Sequence, residues 1–247
     1  MIVFTEALVI KKINYGDTSS IVRLFSRNYG KISIIIKGAR KSKKNLYNLC
    51  ESGNCIALHF YYNDQIKLYQ YKEIELINSF PAIRLSIKKM GVLFSVLELT
   101  DKTMQEKIVD KLVFRLVFKI LETLNKEKNN AGFYLCFFIW HLYSLLGVLK
   151  EHIYCEQCHC RLENVSIEDF SYILLCNKCS YNPLFKLSSV EFSYLSILKN
   201  THLKNISQYS LKDETVVKII DYLLCLGRIE FSNIHNIKSI RMFKSYI

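Results

Sequence analysis

Proline is almost absent from this sequence of 247 residues, with two in all, and glycine is scarce at eight. That scarcity excludes a collagen-like period, a proline-rich spacer and a flexible low-complexity linker, so the chain is expected to be compact throughout. Also missing are a glycine-rich phosphate loop ending in Lys-Ser/Thr, a G-x-S-x-G elbow and an H-E-x-x-H pair, and the six histidines are scattered. No acidic residues are paired as general acid and base, so nothing positive supports catalysis. Met1 to Ile10 lacks the basic start, apolar run and cleavage site of a signal peptide, and a cytosolic, reducing setting is expected. In that setting nine cysteines, an odd number, are expected to hold metal rather than form disulfides.

What is present begins with apolar content: half of the residues are hydrophobic, enough for one large domain or two unequal ones, and two are expected. A formal charge of +12 attracts polyanions, either nucleic acid or an anionic membrane surface. One segment tests the second possibility, because Ala131 to Leu149 holds no Asp, Glu, Lys or Arg and is long enough to span a bilayer. Tyr134, His141 and Ser144 recur in it at helical spacing and predict a polar stripe, which suits the central helix of a bundle better than a lone lipid-facing one. No second such segment accompanies it, so no membrane contact is expected.

Residues 1 to 80 alternate short runs rich in Ile, Val, Tyr and Phe with turn residues, the pattern of an all-β unit. Five strands are predicted: Glu6 to Ile13, Thr18 to Ser26, Lys31 to Lys37, Cys55 to Tyr62 and Gln65 to Lys72. Asn14-Tyr15-Gly16-Asp17, Asn28-Tyr29-Gly30 and Asn63-Asp64 mark the turns. A long connection between the third and fourth strands fits a five-stranded OB-type barrel, with an SH3-like barrel as the alternative.

After Pro81 the period lengthens. Val109, Leu112, Val113, Leu116, Val117, Ile120, Leu121 and Leu124 recur every three or four residues, predicting an amphipathic helix with Arg84 to Leu99 and Ala131 to Leu149 as partners. Ser188 with Glu191, and Ser210 with Asp213, read as capping boxes, and Gly227 as the end of the second helix they open. The expected class is therefore α+β with several domains: residues 1–80 as a β-barrel, and 81–247 as a helical domain carrying a metal-binding insertion at about 152–182.

Cys155-x2-Cys158, seventeen residues, then Cys176-x2-Cys179 is the spacing of two knuckles closing a tetrahedral thiolate site. Four ligands leave no open position, so one structural zinc ion is expected, acting as a folding clasp rather than activating water. Cys160, His152 and His159 lie near enough to compete. The two symmetric pairs are favoured because each spans one tight turn.

The run Lys37-Gly38-Ala39-Arg40-Lys41-Ser42-Lys43-Lys44 holds five positive charges in eight residues and no acid. Lys37, Arg40, Lys41, Lys43 and Lys44 suit a phosphate backbone, with charge supplying affinity. Across residues 1–80, twelve Lys and Arg face six Asp and Glu, so this third of the chain holds half the net charge. Phe60, Tyr61, Tyr62, Tyr69 and Tyr71 could stack on unpaired bases, though alternation predicts at least half of them to be core.

Read in order, these segments resemble the RecO family of bacterial recombination mediators. Glu6 to Ile10, Tyr15-Gly16-Asp17, Ile21 to Phe25, Gly30-Lys31 and Lys37-Gly38-Ala39-Arg40 follow one another as in that family's N-terminal OB domain. The paired cysteines fall in its helical domain, and Lys238 to Phe243 is similar to its closing segment. A proline is lacking near Leu49-Cys50-Glu51, and His159 and Ser180 stand where glycine is common. The resemblance implies a non-catalytic protein of the cytoplasm and nucleoid that binds single- and double-stranded DNA and anneals complementary strands. It also implies contact with the acidic tail of single-strand binding protein, on the helical domain, and partnership with RecR to load RecA. Other classes stay open at this point: a zinc-ribbon RNA-binding or transcription factor, or a DNA repair enzyme with a structural zinc module.

Overall fold

The computed structural model describes residues 1–39, 46–149, 154–168 and 173–247, which fall into two compact units, Met1–Asn125 and Lys126–Ile247. In the first, strands β1 (Ile2–Tyr15), β2 (Ser19–Ser26), β3 (Gly30–Ile36), β4 (Cys55–Tyr61) and β5 (Leu68–Asn78) close into a barrel in the order β1-β2-β3-β5-β4. Four pairings are antiparallel and β3–β5 is parallel. A parallel neighbour cannot be reached by a tight hairpin, so the chain leaves β3 through a long connection that includes α1 (Leu46–Leu49) and returns along β4. This order is OB-like and sets aside the SH3-like alternative.

Period-two alternation fills the barrel. Val22 and Leu24, Ile32, Ile34 and Ile36, and Ile56, Leu58 and Phe60 all point inward and are buried. Burying each such side chain contributes about 1.5–3 kcal/mol against leaving it in water. β1 starts four residues before the predicted Glu6, because Ile2 to Thr5 pair with Tyr61 to Leu58. Gly30, entering β3 at φ 63°, is fixed twice over: a Cβ there would also stand 2.2 Å from the carbonyl oxygen of Ile108.

Helices α2 (Ile87–Thr103) and α3 (Lys111–Lys126) belong to the same unit. Val113, Val117, Ile120, Leu121 and Leu124 form the buried stripe of α3, and Phe114 meets the barrel at Phe25, ring centroids 5.9 Å apart. The helix begins at Lys111 rather than Val109 because the Asp110 carboxylate accepts the backbone N–H groups of Leu112 and Val113 at 3.0 and 2.9 Å. Val109 and Leu112, predicted on the apolar stripe, are therefore exposed.

The end of α2 is tied to three strands by charge. Asp101 faces Lys11 of β1 at 2.9 Å, Arg23 Nε of β2 at 2.8 Å and Lys31 of β3 at 3.4 Å. Lys31 Nζ also donates to the Asp101 carbonyl at 2.5 Å. The Arg23 Nε contact is an ion pair without hydrogen-bond alignment. Glu106 completes the group, paired with Arg23 and lying 3.7 Å from Lys31.

The second unit is organised by α4 (Ala131–Leu145), which packs against α5 (Ser189–Asn200) and α6 (Asp213–Glu230). Nine of its fifteen residues are buried, which accounts for the long uncharged run. Among the described residues no helix is long and apolar enough to cross a membrane. The predicted polar stripe is narrower than expected: His141 bonds the Leu198 carbonyl at 3.1 Å and Ser144 is exposed, but Tyr134 is fully buried.

Ser188 and Glu191 do form a reciprocal capping box on α5. Ser210 and Asp213 do not, because α6 starts at Asp213 itself, where Asp213 and Glu214 answer the helix dipole instead. Gly227 lies inside α6 rather than at its end. A Cβ there would meet the Tyr143 hydroxyl at 2.1 Å, so close helix packing, and not chain termination, demands glycine. A short helix, α7 (Lys238–Lys244), buries Ile240 and Phe243.

Candidate metal centre and nucleic-acid interface

Between α4 and α5 lies a small sheet of β6 (Val165–Glu168), β7 (Leu174–Leu175) and β8 (Pro183–Leu187), in the order β7-β6-β8. Strands this short cannot hold a core alone. Two turns bring in the cysteines. In the first, His159 N donates to the Cys155 carbonyl at 2.9 Å and Cys155 N to the Cys160 carbonyl at 2.8 Å. In the second, Cys179 N and Ser180 N both donate to the Cys176 carbonyl at 3.1 Å.

The turns are joined through Glu156, whose N–H reaches the Leu174 carbonyl at 3.0 Å and whose carboxylate accepts from Leu174 N at 3.1 Å. Glu168 of β6 receives the Ser180 hydroxyl at 2.6 Å and the backbone N–H of Tyr181 at 3.0 Å, fixing the second turn from below. Phe185 of β8 meets Tyr222 of α6 with ring centroids 6.4 Å apart, docking the sheet on the helices.

Cys155, Cys158, Cys176 and Cys179 are brought together, their sulfurs all within 4.8 Å of one another. Cys158 Sγ and Cys176 Sγ stand 3.8 Å apart, the edge of a tetrahedron with metal–sulfur bonds of about 2.3 Å. Burial opposes ionisation of Cys155, but backbone N–H groups of Cys158, Cys176 and Gln157 outweigh it and bring the thiol down to about 6. Cys176, whose N–H itself lies 3.4 Å from Cys155 Sγ, is lowered in the same way against its own burial. Such a donor set fits a metal ion.

Cys160 falls outside the group of four. A hydrogen bond to Cys158 pushes its thiol up to about 12, but the same contact does this to Cys179, so it is position and not acidity that sets Cys160 apart. His152 lies outside the described residues. His159 adopts φ 56°, a left-handed conformation that costs a residue with a Cβ about 1–2 kcal/mol. Glycine would relieve that cost while losing about 0.5–1 kcal/mol to extra freedom when unfolded. His159→Gly should therefore leave metal content unchanged and stabilise the turn by about 0.5–1 kcal/mol. Slower extraction of metal by a chelator would register the gain, and faster extraction would contradict it.

Of the predicted phosphate contacts, Lys37 is exposed just beyond β3, and Arg40, Lys41, Lys43 and Lys44 lie outside the described residues. The aromatics divide as alternation requires. Phe60 and Tyr69 are fully buried in the barrel, and Tyr62 and Tyr71 pack against its core. Only Tyr61, 47% exposed, faces solvent. Sequence reading passed over Tyr15, treated as a turn residue, which stands 56% exposed at the tip of the β1–β2 hairpin beside Ile13. It also counted Lys11, Arg23 and Lys31 as free charge, whereas all three face Asp101. The neutralising acid stands outside the window of residues 1–80, so no local count could find it.

Residues 1–80 match the family model described as recombination protein O N terminal, and residues 84–228 match recombination protein O C terminal. A protein of Syntrophus aciditrophicus named DNA repair protein RecO is 30% identical over 182 residues, covering 72% of this chain and 70% of its own length. Its namesake in Chloroherpeton thalassium is 32% identical over 147 residues, and there the match spans only 57% of the relative. A third, from Exiguobacterium, is 23% identical over 210 residues, covering 85% of this chain and 83% of the relative.

Proposed function

Because this chain belongs to the RecO family of DNA repair proteins, we propose that it is a non-catalytic recombination mediator that binds single- and double-stranded DNA and anneals complementary strands. In this reading residues 1–80 bind DNA, and residues 81–247 carry the partner contacts and a zinc-binding insertion at about 152–182. The partners are RecR, the acidic tail of single-strand binding protein, and through them RecA, in the cytoplasm and at the nucleoid. Zinc fits the thiolate set of Cys155, Cys158, Cys176 and Cys179 because a soft, four-coordinate ion suits four sulfurs with no open position. Its role is then to hold the turns, and no reaction step passes through it.

The observation that carries the reading is an OB-like barrel whose strand β3 is followed in sequence by the basic run from Lys37 to Lys44. Annealing requires a protein to hold phosphates while leaving base edges free, so clustered charge serves better than base-specific pockets. If Lys37, Arg40, Lys41, Lys43 and Lys44 each contact one phosphate of a single strand, they contribute about −3.5 to the slope of log affinity against log salt. Replacing Arg40, Lys41, Lys43 and Lys44 with Gln should flatten that slope by about 2.8 and slow annealing, with metal content and thermal midpoint unchanged. An unaltered slope in the folded variant would remove this run as the main DNA contact. Cleavage of labelled DNA by the wild type would instead favour a repair enzyme.

A further inference from the structure

A cationic groove lies at the end of the barrel away from Lys37. Lys37 follows Ile36, which pairs with Ser20 at the start of β2, whereas Arg27 follows Ser26, which pairs with Gly30 at its end. The two ends of β2 are about 24 Å apart at the usual rise per residue. Beside Arg27, the outer side of α3 carries Lys111, Arg115 and Lys119, spaced four residues apart and so spread over about 12 Å of helix. Together with the barrel wall they border a groove of about 520 Å³.

The charge and the lining point the same way. Arg27 is paired with Glu6 and Lys119 with Glu122, but Lys111 and Arg115 have no acidic partner among the described residues. With Arg27 and Lys119 compensated by Glu6 and Glu122, Lys111 and Arg115 leave the rim with two uncompensated positive charges. Its floor is apolar, formed by Ile77 and Phe118, and Leu112 adds a further apolar side chain to the lining, 61% exposed.

We propose that this groove is a binding site for a second single strand of DNA, with phosphates along the Lys111–Arg115–Lys119 ladder and unpaired bases against Leu112 and Phe118. The proposal rests on the reading that the chain anneals strands, and it supplies what annealing needs: two strands held on one molecule without covering each other's base edges. A duplex does not fit, because its bases are stacked inside and cannot use an apolar floor. An acidic peptide fits less well, because the positive charge repeats along the groove as a phosphate chain does and does not converge on one carboxylate.

The test uses the full-length protein with Lys111→Gln and Arg115→Gln together, and two non-complementary oligonucleotides bearing a donor and an acceptor dye. Wild type should hold both strands and give energy transfer. The double variant should bind one strand within about twofold of wild type, lose the energy transfer, and anneal complementary strands about tenfold more slowly, having lost about 1.4 of the salt slope for the second strand. In an otherwise native chain, a photo-reactive benzoylphenylalanine at position 112 should cross-link to DNA only once the first strand is saturating.

Energy transfer and annealing that survive in the double variant overturn the proposal. So does a double variant that keeps both strands but loses a labelled acidic peptide ending in phenylalanine, which would make the groove a protein-docking site. Failure of wild type to bind any strand is a different result, and it removes the mediator reading itself.

Discussion

Cys176→Ser should lose the bound metal and unfold the small sheet, while the barrel's thermal transition stays where it is. Cys176 links the two turns: its N–H lies 3.4 Å from Cys155 Sγ, its sulfur 3.8 Å from Cys158 Sγ, and its carbonyl receives both N–H groups that close the second turn. A serine hydroxyl does not ionise at neutral pH and is a hard oxygen donor in place of a soft sulfur. Metal binding in small zinc modules contributes on the order of 10 kcal/mol to folding, so removing one ligand takes away more than the short strands β6, β7 and β8 can replace. Metal analysis should show less than one zinc per chain after mild chelation, and hydrogen exchange should show lost protection at 154–168 and 173–187. A full chelator-resistant equivalent would falsify the four-cysteine set and bring in Cys160 or a histidine.

The clustering of these four cysteines is legible in the sequence because its determinants are local. Each Cys-x2-Cys is one turn, and the turn alone sets its two sulfurs side by side. The five strands were legible for a similar reason, since Val22, Leu24, Ile32, Ile34 and Ile36 alternate visibly with their outward neighbours. Strand ends were less so: β5 runs on to Asn78 because its partner Cys55–Tyr61 continues beside it, and no composition change marks that point.

What could not be read were features made by distant residues. Gly227 looked like a helix terminator, since glycine does that often, yet it serves the approach of Tyr143 from another helix. Leu112 fitted the apolar period of α3, but capping by Asp110 and the position of the barrel put it in solvent. The clearest case is charge. A tally of Lys and Arg cannot separate cations that face DNA from cations that hold the fold, and Asp101 makes that separation.

Asp101→Asn should destabilise the first unit by about 2–3 kcal/mol, less than the roughly 3–5 kcal/mol for breaking a fully buried ion pair, because Lys11 and Arg23 keep partial access to water. Its side chain is 15% exposed and that of Lys31 only 7%, so the lysine would be left buried with Glu106 at 3.7 Å as its remaining acid. For a unit of this size the melting midpoint should fall by roughly 6–12 °C.

The pH dependence separates charge from packing. Burial opposes ionisation of Asp101, but the Lys11 hydrogen bond and the charges of Arg23 and Lys31 outweigh it and hold the carboxyl below its ordinary value. A depressed carboxyl stabilises the fold at every pH above its unfolded value, about 3.9, and that contribution disappears as pH falls through the folded one. The gap between wild type and Asp101→Asn should thus be constant from pH 5 to 8 and narrow below about pH 4. A gap that persists undiminished at pH 3 would mean that shape, not charge, holds the joint. With the carboxylate gone, Lys11 loses its counter-charge on the barrel surface and Arg23 keeps only Glu106. Affinity for single-stranded DNA at low salt should then rise as stability falls, an opposition expected only if Asp101 divides the cations of the fold from those of the DNA site.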